Sequence, residues 1–134
     1  MSTRSHIAIK NADGTVRSIY HHWDGYLEGV GAVLLEHYTT EDRINKLLDL
    51  GDMSMIGSEP VGYWSDSISR PDPNACMTYR ERGESNVDAR IFSSLDDYLD
   101  HAVEDYTYIF IDGEWYYREW DDRDLKLVAA DIQK

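Results

Sequence analysis

Tyr106-Thr107-Tyr108-Ile109-Phe110-Ile111-Asp112-Gly113-Glu114-Trp115-Tyr116-Tyr117-Arg118-Glu119-Trp120 is the stretch on which the fold turns. Asp112-Gly113 supplies the two adjacent residues able to take positive φ that a tight hairpin turn demands, and β-branched and aromatic residues flank it on both sides. About that turn Phe110 faces Trp115 and Tyr108 faces Tyr117, whereas Ile109 faces Tyr116 on the other side. Both faces therefore carry large apolar groups, so each needs a cover or a partner.

Outward from this hairpin, a second one is expected near the start of the chain. Ile7 and Ile9 alternate, Asn11-Ala12-Asp13-Gly14 turns the backbone, and Val16, Ser18 and Tyr20 return on one face. From Tyr26 the period changes to three and four, with Leu27, Val30, Leu34 and Tyr38, which predicts a helix. Thr40 ahead of Glu41 and Asp42 reads as an N-cap, Ile44, Leu47 and Leu48 as an apolar stripe, and Gly51 as a stop. Ser94-Leu95-Asp96-Asp97 opens a third helix through Tyr98, Leu99 and Ala102. Residues 52–75, broken by Gly57, Pro60, Gly62, Pro71 and Pro73, are expected as an irregular loop docked by Tyr63 and Trp64. Residues 75–82 and 87–92 read as two strands around Gly83-Glu84-Ser85-Asn86, and Asp121 to Val128 as a short helix or extended tail. Strands and helices come in separate groups without a βαβ alternation. The expected fold is thus one α+β domain over residues 1–134, a largely antiparallel sheet of hairpins with about three helices on one face.

The 134 residues suit a single domain, and 42% hydrophobic content supplies a core. Runs such as Ala32-Val33-Leu34-Leu35 are too short to span a bilayer, and MSTRSHIAIKNADG lacks the apolar stretch of a signal peptide, so no membrane association and a cytoplasmic location are expected. Cys76 is the only cysteine, which excludes an internal disulfide and a thiolate-rich metal site within one chain. The net charge is −13, made of 11 acids against 7 bases over residues 1–80 and 15 against 6 over residues 81–134. Such a balance argues against direct binding of nucleic acid and favours basic partners.

Two segments are candidates for function. In His21-His22-Trp23-Asp24-Gly25-Tyr26-Leu27-Glu28-Gly29-Val30-Gly31 a strand hands over to a helix. One reading is a ligand site in which helix-start N–H groups, with His21, His22, Asp24, Tyr26, Gly29 and Gly31, hold a nucleotide or another anion. The other is structural: the glycines let the helix lie close on the sheet, Trp23 is core, and a histidine is a bonded neighbour. No phosphate-loop or dinucleotide glycine spacing supports the first. Adjacent histidines point to opposite faces of a strand, so neither a metal site nor any cofactor is assigned, and nothing about Cys76 marks a nucleophile; no catalytic residue is named.

The second candidate is the acidic, aromatic C-terminal part. Asp112, Glu114, Glu119, Asp121, Asp122 and Asp124, with Tyr117 and Trp120 as anchors, would form a surface for a basic protein groove, the rings supplying buried contact and the carboxylates steering. The competing reading makes the acids a solvated rim. An aromatic hairpin also offers a homodimer interface.

STRSHIAI, NADGTVRSIY and HHWDGYLEGVGAVLLEHY, over residues 2–38, resemble a group of short proteins encoded by bacteriophages and mobile elements. The resemblance implies a phage-type origin and carries over no catalytic residues. By analogy, small acidic phage accessory proteins include inhibitors of host defence, among them anti-CRISPR proteins and nucleic-acid mimics. The leading expectation is accordingly a non-enzymatic inhibitor of a host nucleic-acid-binding effector, with carboxylates standing in for phosphates.

Overall fold

Two hairpins laid side by side form the centre of the protein. The computed structural model describes residues 3–64, 74–120 and 122–132. The first hairpin is β1 (Ser5–Lys10) with β2 (Val16–His21). Its turn is fixed by Asp13, whose carboxylate accepts from the Thr15 N–H at 3.0 Å and the Thr15 hydroxyl at 2.6 Å. In sequence, though not in the sheet, the short strands β3 (Met53–Met55), β4 (Gly62–Tyr63), β5 (Cys76–Thr78) and β6 (Arg90–Phe92) intervene between this hairpin and the aromatic one. The aromatic hairpin, β7 (Tyr106–Ile111) with β8 (Glu114–Glu119), has the expected register, Phe110 opposite Trp115 and Tyr108 opposite Tyr117. Asp112 and Gly113 both take positive φ, 49° and 85°, as that turn requires.

The α+β architecture is the one expected, with a mixed sheet in the order β4-β5-β3-β2-β1-β7-β8-β9, where β9 is Lys126–Leu127. β1 pairs with β7 in parallel, Ser5 opposite Tyr106 and Ile9 opposite Phe110. Outside β2 the edge is shared: Val16–Ser18 pair with β6, and His21 pairs with Met53 of β3. Residues 75–82 and 87–92 do not pair with each other as a hairpin. β5 joins β3 and β4, the chain then turns over Tyr79–Gly83, and Asn86 at φ 61° sends it on to β2 instead.

Helices cover both faces of the sheet, a correction to the one-sided arrangement. Because strand side chains alternate, Ile7, Ile9, Ile19, Tyr108, Phe110, Trp115 and Tyr117 lie on one face and Ala8, Val16 and Ile109 on the other. The first face is covered by a π-helical turn (Leu27–Gly31), α1 (Ala32–His37), α2 (Glu41–Asp49) and α4 (Val128–Asp131), through Leu34, Ile44, Leu47, Leu48 and Val128. The second is covered by α3 (Leu95–His101), through Tyr98, with Ala102 just beyond it. Each such aliphatic or aromatic side chain, once buried, contributes about 1.5–3 kcal/mol. With two apolar faces, one helical layer would have left Ile109 and Val16 in water.

The helix starts follow the sequence. Thr40 accepts from the Arg43 N–H at 3.3 Å to open α2, and Ser94 from the Asp97 N–H at 3.1 Å to open α3. Gly51, at φ 82°, closes α2, where a side chain would strike the Val87 carbonyl. No helix among the described residues is long and apolar enough to cross a membrane.

Candidate functional site

Parallel pairing of β1 with β7 fixes where the candidate residues meet. Both hairpin turns fall at one end of the sheet, where Lys10, Asn11, Ile111 and Asp112 line a common cleft. The open strand ends fall at the other, in the row His21, Ser5, Tyr106, Glu119. The segment His22–Gly31 leaves β2 at this open end, and Trp120 leaves β8 there too. Two stretches almost a hundred residues apart in sequence thus emerge together.

The N-terminal strand lead-in ties them. Gly25 donates its N–H to the Thr3 carbonyl at 2.8 Å, Tyr106 donates to the Arg4 carbonyl at 3.1 Å, and the Arg4 N–H reaches Asp105 Oδ2 at 3.0 Å. The Trp120 N–H donates to the Asp105 carbonyl at 3.0 Å, which leaves the indole 71% exposed beside it. Tyr106 stacks on Tyr108 and Tyr117. Burial raises its phenol pKa first, and Glu119, as a charge and a hydrogen-bond partner, then Glu28 and Asp105 raise it further. Three carboxylates from separate parts of the chain thus oppose ionisation of one ring.

The C-terminal acids do not form one continuous surface. Asp112 and Glu114 stand at the turn end of β7–β8, whereas Glu119 stands at the open end, about 17 Å away at 3.4 Å per residue. Glu114 and Glu119 also fall on opposite faces of β8 by alternation. Asp122 is held by Lys126, whose ammonium donates to Oδ2 at 3.1 Å and lowers the carboxyl pKa. Asp124 is exposed, and Asp121 lies outside the described residues. Tyr117 is no anchor: it is 5% exposed and donates its hydroxyl to Asp131 at 2.9 Å, because β9 and α4 pack over it. Trp120 is the exposed ring of the pair. Of the remaining hairpin aromatics, Tyr108, Phe110 and Trp115 are buried in this chain's own core, and Tyr106 and Tyr116 are partly buried against the two cores.

The strand-to-helix motif is divided in the same way. His21 is fully buried, accepts from the Ile56 N–H through Nε2 at 2.8 Å, and is pushed down to a pKa of about 3, by burial first and by His22 second. It serves as a neutral core acceptor. His22 shares a 2.7 Å hydrogen bond with the Tyr20 hydroxyl and lies edge-on to Trp23 at 4.8 Å. Trp23 is 41% exposed rather than core, since its N–H donates to Ser54 and carries the chain outward over β3. Asp24 takes φ 54°, and its carbonyl accepts from the Val30 N–H at 3.0 Å, while the Gly29 N–H goes to the Tyr26 carbonyl. A side chain at Gly29 would sit 2.1 Å from that Asp24 carbonyl, and Gly31 lies against Leu27 and Tyr108. The N–H groups that anion capture would use at Gly29 and Val30 are thereby occupied, and Glu28 adds negative charge in the same turn.

Asp24, Tyr26 and Gly29 nevertheless line a cleft of about 200 Å³, with Trp23, Glu28 and Val33. Of these, Trp23 and Glu28 are functional candidates that sequence reasoning did not assign, as is Asp105. Among the described residues no group of three or more His, Cys, Asp and Glu side chains is arranged to hold a metal ion. Cys76 is buried against the Gly57 N–H, and burial pushes its thiol pKa up, away from nucleophilic character. No family model matches the chain, and neither a curated protein nor a solved structure does.

Proposed function

We propose that this is a non-enzymatic, acidic binding protein that occupies a basic surface of another protein, and that its contact face is the open end of the sheet. The observation that carries the reading is the geometry of the open sheet end, where Glu119 lies opposite Tyr106 and the exposed Trp120 is tied through its N–H to Asp105; Glu28 acts electrostatically on the same Tyr106 ring. A ring flanked by carboxylates suits a basic groove, since the aromatic supplies desolvated contact and the acids supply orientation and fast encounter. The net charge of −13 extends that attraction over the whole molecule. In its finer form the protein is a phage-type accessory protein and the partner a host nucleic-acid-binding effector, in whose groove these carboxylates replace phosphates.

Displacement of labelled DNA from a panel of basic nucleic-acid-binding effectors tests the reading. The wild-type chain is expected to displace DNA, less so as salt rises. Glu28→Lys with Glu119→Lys should abolish displacement, whereas Glu114→Lys with Glu41→Lys, an equal change of charge at the turn end, should leave most of it. Equal loss in both double variants, or no displacement from any effector, would remove the proposed face.

A further inference from the structure

Glu28 belongs both to that face and to the cleft framed by Trp23, Asp24, Tyr26, Val33 and Met55. At about 200 Å³ the cleft is smaller than the roughly 300–1,000 Å³ of ordinary small-molecule sites, and its scale is that of one long side chain. Its chemistry is uneven. Val30, Val33, Met55 and Ile56 supply aliphatic lining, the Trp23 and Tyr26 rings are 41% and 38% exposed, and the exposed residues Asp24 and Glu28 complete the wall. Neither Asp24 nor Glu28 has a side-chain hydrogen bond or ion pair among the described residues, although Arg17, Arg43, Lys46, Arg80, Arg90 and Lys126 are paired elsewhere. No positively charged side chain among the described residues lines the cleft.

We propose that the cleft seats one arginine side chain of the basic partner, its guanidinium held by the Asp24 and Glu28 carboxylates and stacked on an aromatic ring; this rests on the binding reading above. A methylene stem suits Val33 and Met55, and a planar cation suits both the negative faces of the rings and the fork geometry of a carboxylate. Lysine satisfies only part of this set, being a strongly hydrated point charge without a plane to stack. Anions are repelled by both carboxylates, and a purely apolar group would desolvate them without compensation. The seat is also rigid. Gly29 against the Asp24 carbonyl, and Gly25 packed on Thr3 and Ser5, fix the backbone that carries Asp24 and Tyr26.

The test uses a short glycine-flanked arginine peptide, with lysine and citrulline counterparts, titrated into the intact chain. The Trp23 indole N–H resonance, assigned by its loss in Trp23→Phe, reports binding. Saturable movement of that resonance is expected with arginine, with affinity falling about tenfold or more for citrulline, which keeps the shape and loses the charge. Asp24→Asn with Glu28→Gln should bring the arginine peptide down to the citrulline level; asparagine tolerates the positive φ at position 24. Equal affinity for arginine and citrulline in the wild-type chain, or no movement of Trp23, overturns the proposal without depending on any variant. If Trp23 stays still while Glu28 and Glu119 remain essential for DNA displacement, the arginine seat falls and the acidic face stands. An arginine-selective response without DNA displacement supports the seat and removes the polyanion-mimic reading.

Discussion

Arg90 grips Asp52 fork to fork, Nη1 to Oδ1 at 2.8 Å and Nη2 to Oδ2 at 2.9 Å, while Asp52 Oδ1 also accepts from the Tyr20 N–H at 2.8 Å. The pair sits where β3 and β6 divide the edge of β2 between them. Asp52 is almost buried, so its loss removes three charge-assisted hydrogen bonds at once. Asp52→Ala is expected to cost about 2–3 kcal/mol in urea denaturation. Arg90→Lys, from a half-exposed position and without the fork, should cost about 1 kcal/mol. Equal stability of Asp52→Ala and wild type would show that the sheet edge is held by apolar packing alone.

Acid should weaken the fold through His21. Its folded pKa of about 3 lies below the ordinary 6.5, so the neutral ring's contribution is complete above pH 6.5 and is lost as pH falls from there toward 3. Between pH 7 and pH 5 the loss is about 2 kcal/mol. His21→Gln should be less stable at pH 7 and flatter over this window. A wild type and variant with parallel pH profiles would mean that the histidine titrates freely in the folded protein.

Gly29 and Gly31, two residues apart in one helical turn, should respond differently to a methyl group. Gly29→Ala drives a Cβ to 2.1 Å from the Asp24 carbonyl and is expected to cost about 2–3 kcal/mol and disturb the Trp23 cleft. Gly31→Ala meets only Leu27 at 3.1 Å and Tyr108 at 3.4 Å, and a gain of about 1 kcal/mol in helix propensity offsets that crowding. Thermal melts of the two variants check the contrast.

Tyr117 and Trp120 should separate stability from binding. Tyr117→Ala empties a core position and is expected to cost about 3–5 kcal/mol. Trp120→Ala, on an exposed ring, should change stability by under about 0.5 kcal/mol yet reduce displacement of DNA from the partner. An unaltered competition curve for Trp120→Ala would exclude it as an anchor.

Local chemistry made much of the fold legible. Thr40 and Ser94 announced their helices, and Asp112-Gly113 fixed both the turn and the register of the residues around it. What the sequence could not display was pairing between distant strands. Ser5 opposite Tyr106 is a tertiary fact, yet it decides that Glu119 and Trp120 lie near Glu28 while Asp112 and Glu114 lie at the far end. Tyr117 shows the limit from the other side. Alternation places it opposite Tyr108, but its exposure depends on the cover provided by residues 126–131, whose short strand and four-residue helix carry almost no periodic signal. The exposure of Trp23 has a similar origin, because the route of the chain over Ser54 is set by β3.

The long reach between β1 and β7 also governs synthesis. About a hundred residues separate Ser5 from Tyr106, which at roughly 5–20 residues per second is a delay of roughly 5–20 s on the ribosome. During that interval the first hairpin has one side of β1 unpaired, with the backbone groups of Ile7 to Ile9 facing solvent or a chaperone. The nascent chain is thus most prone to stray strand association before its aromatic hairpin emerges, and its abundance in a cell should depend on translation speed through the second half of the message.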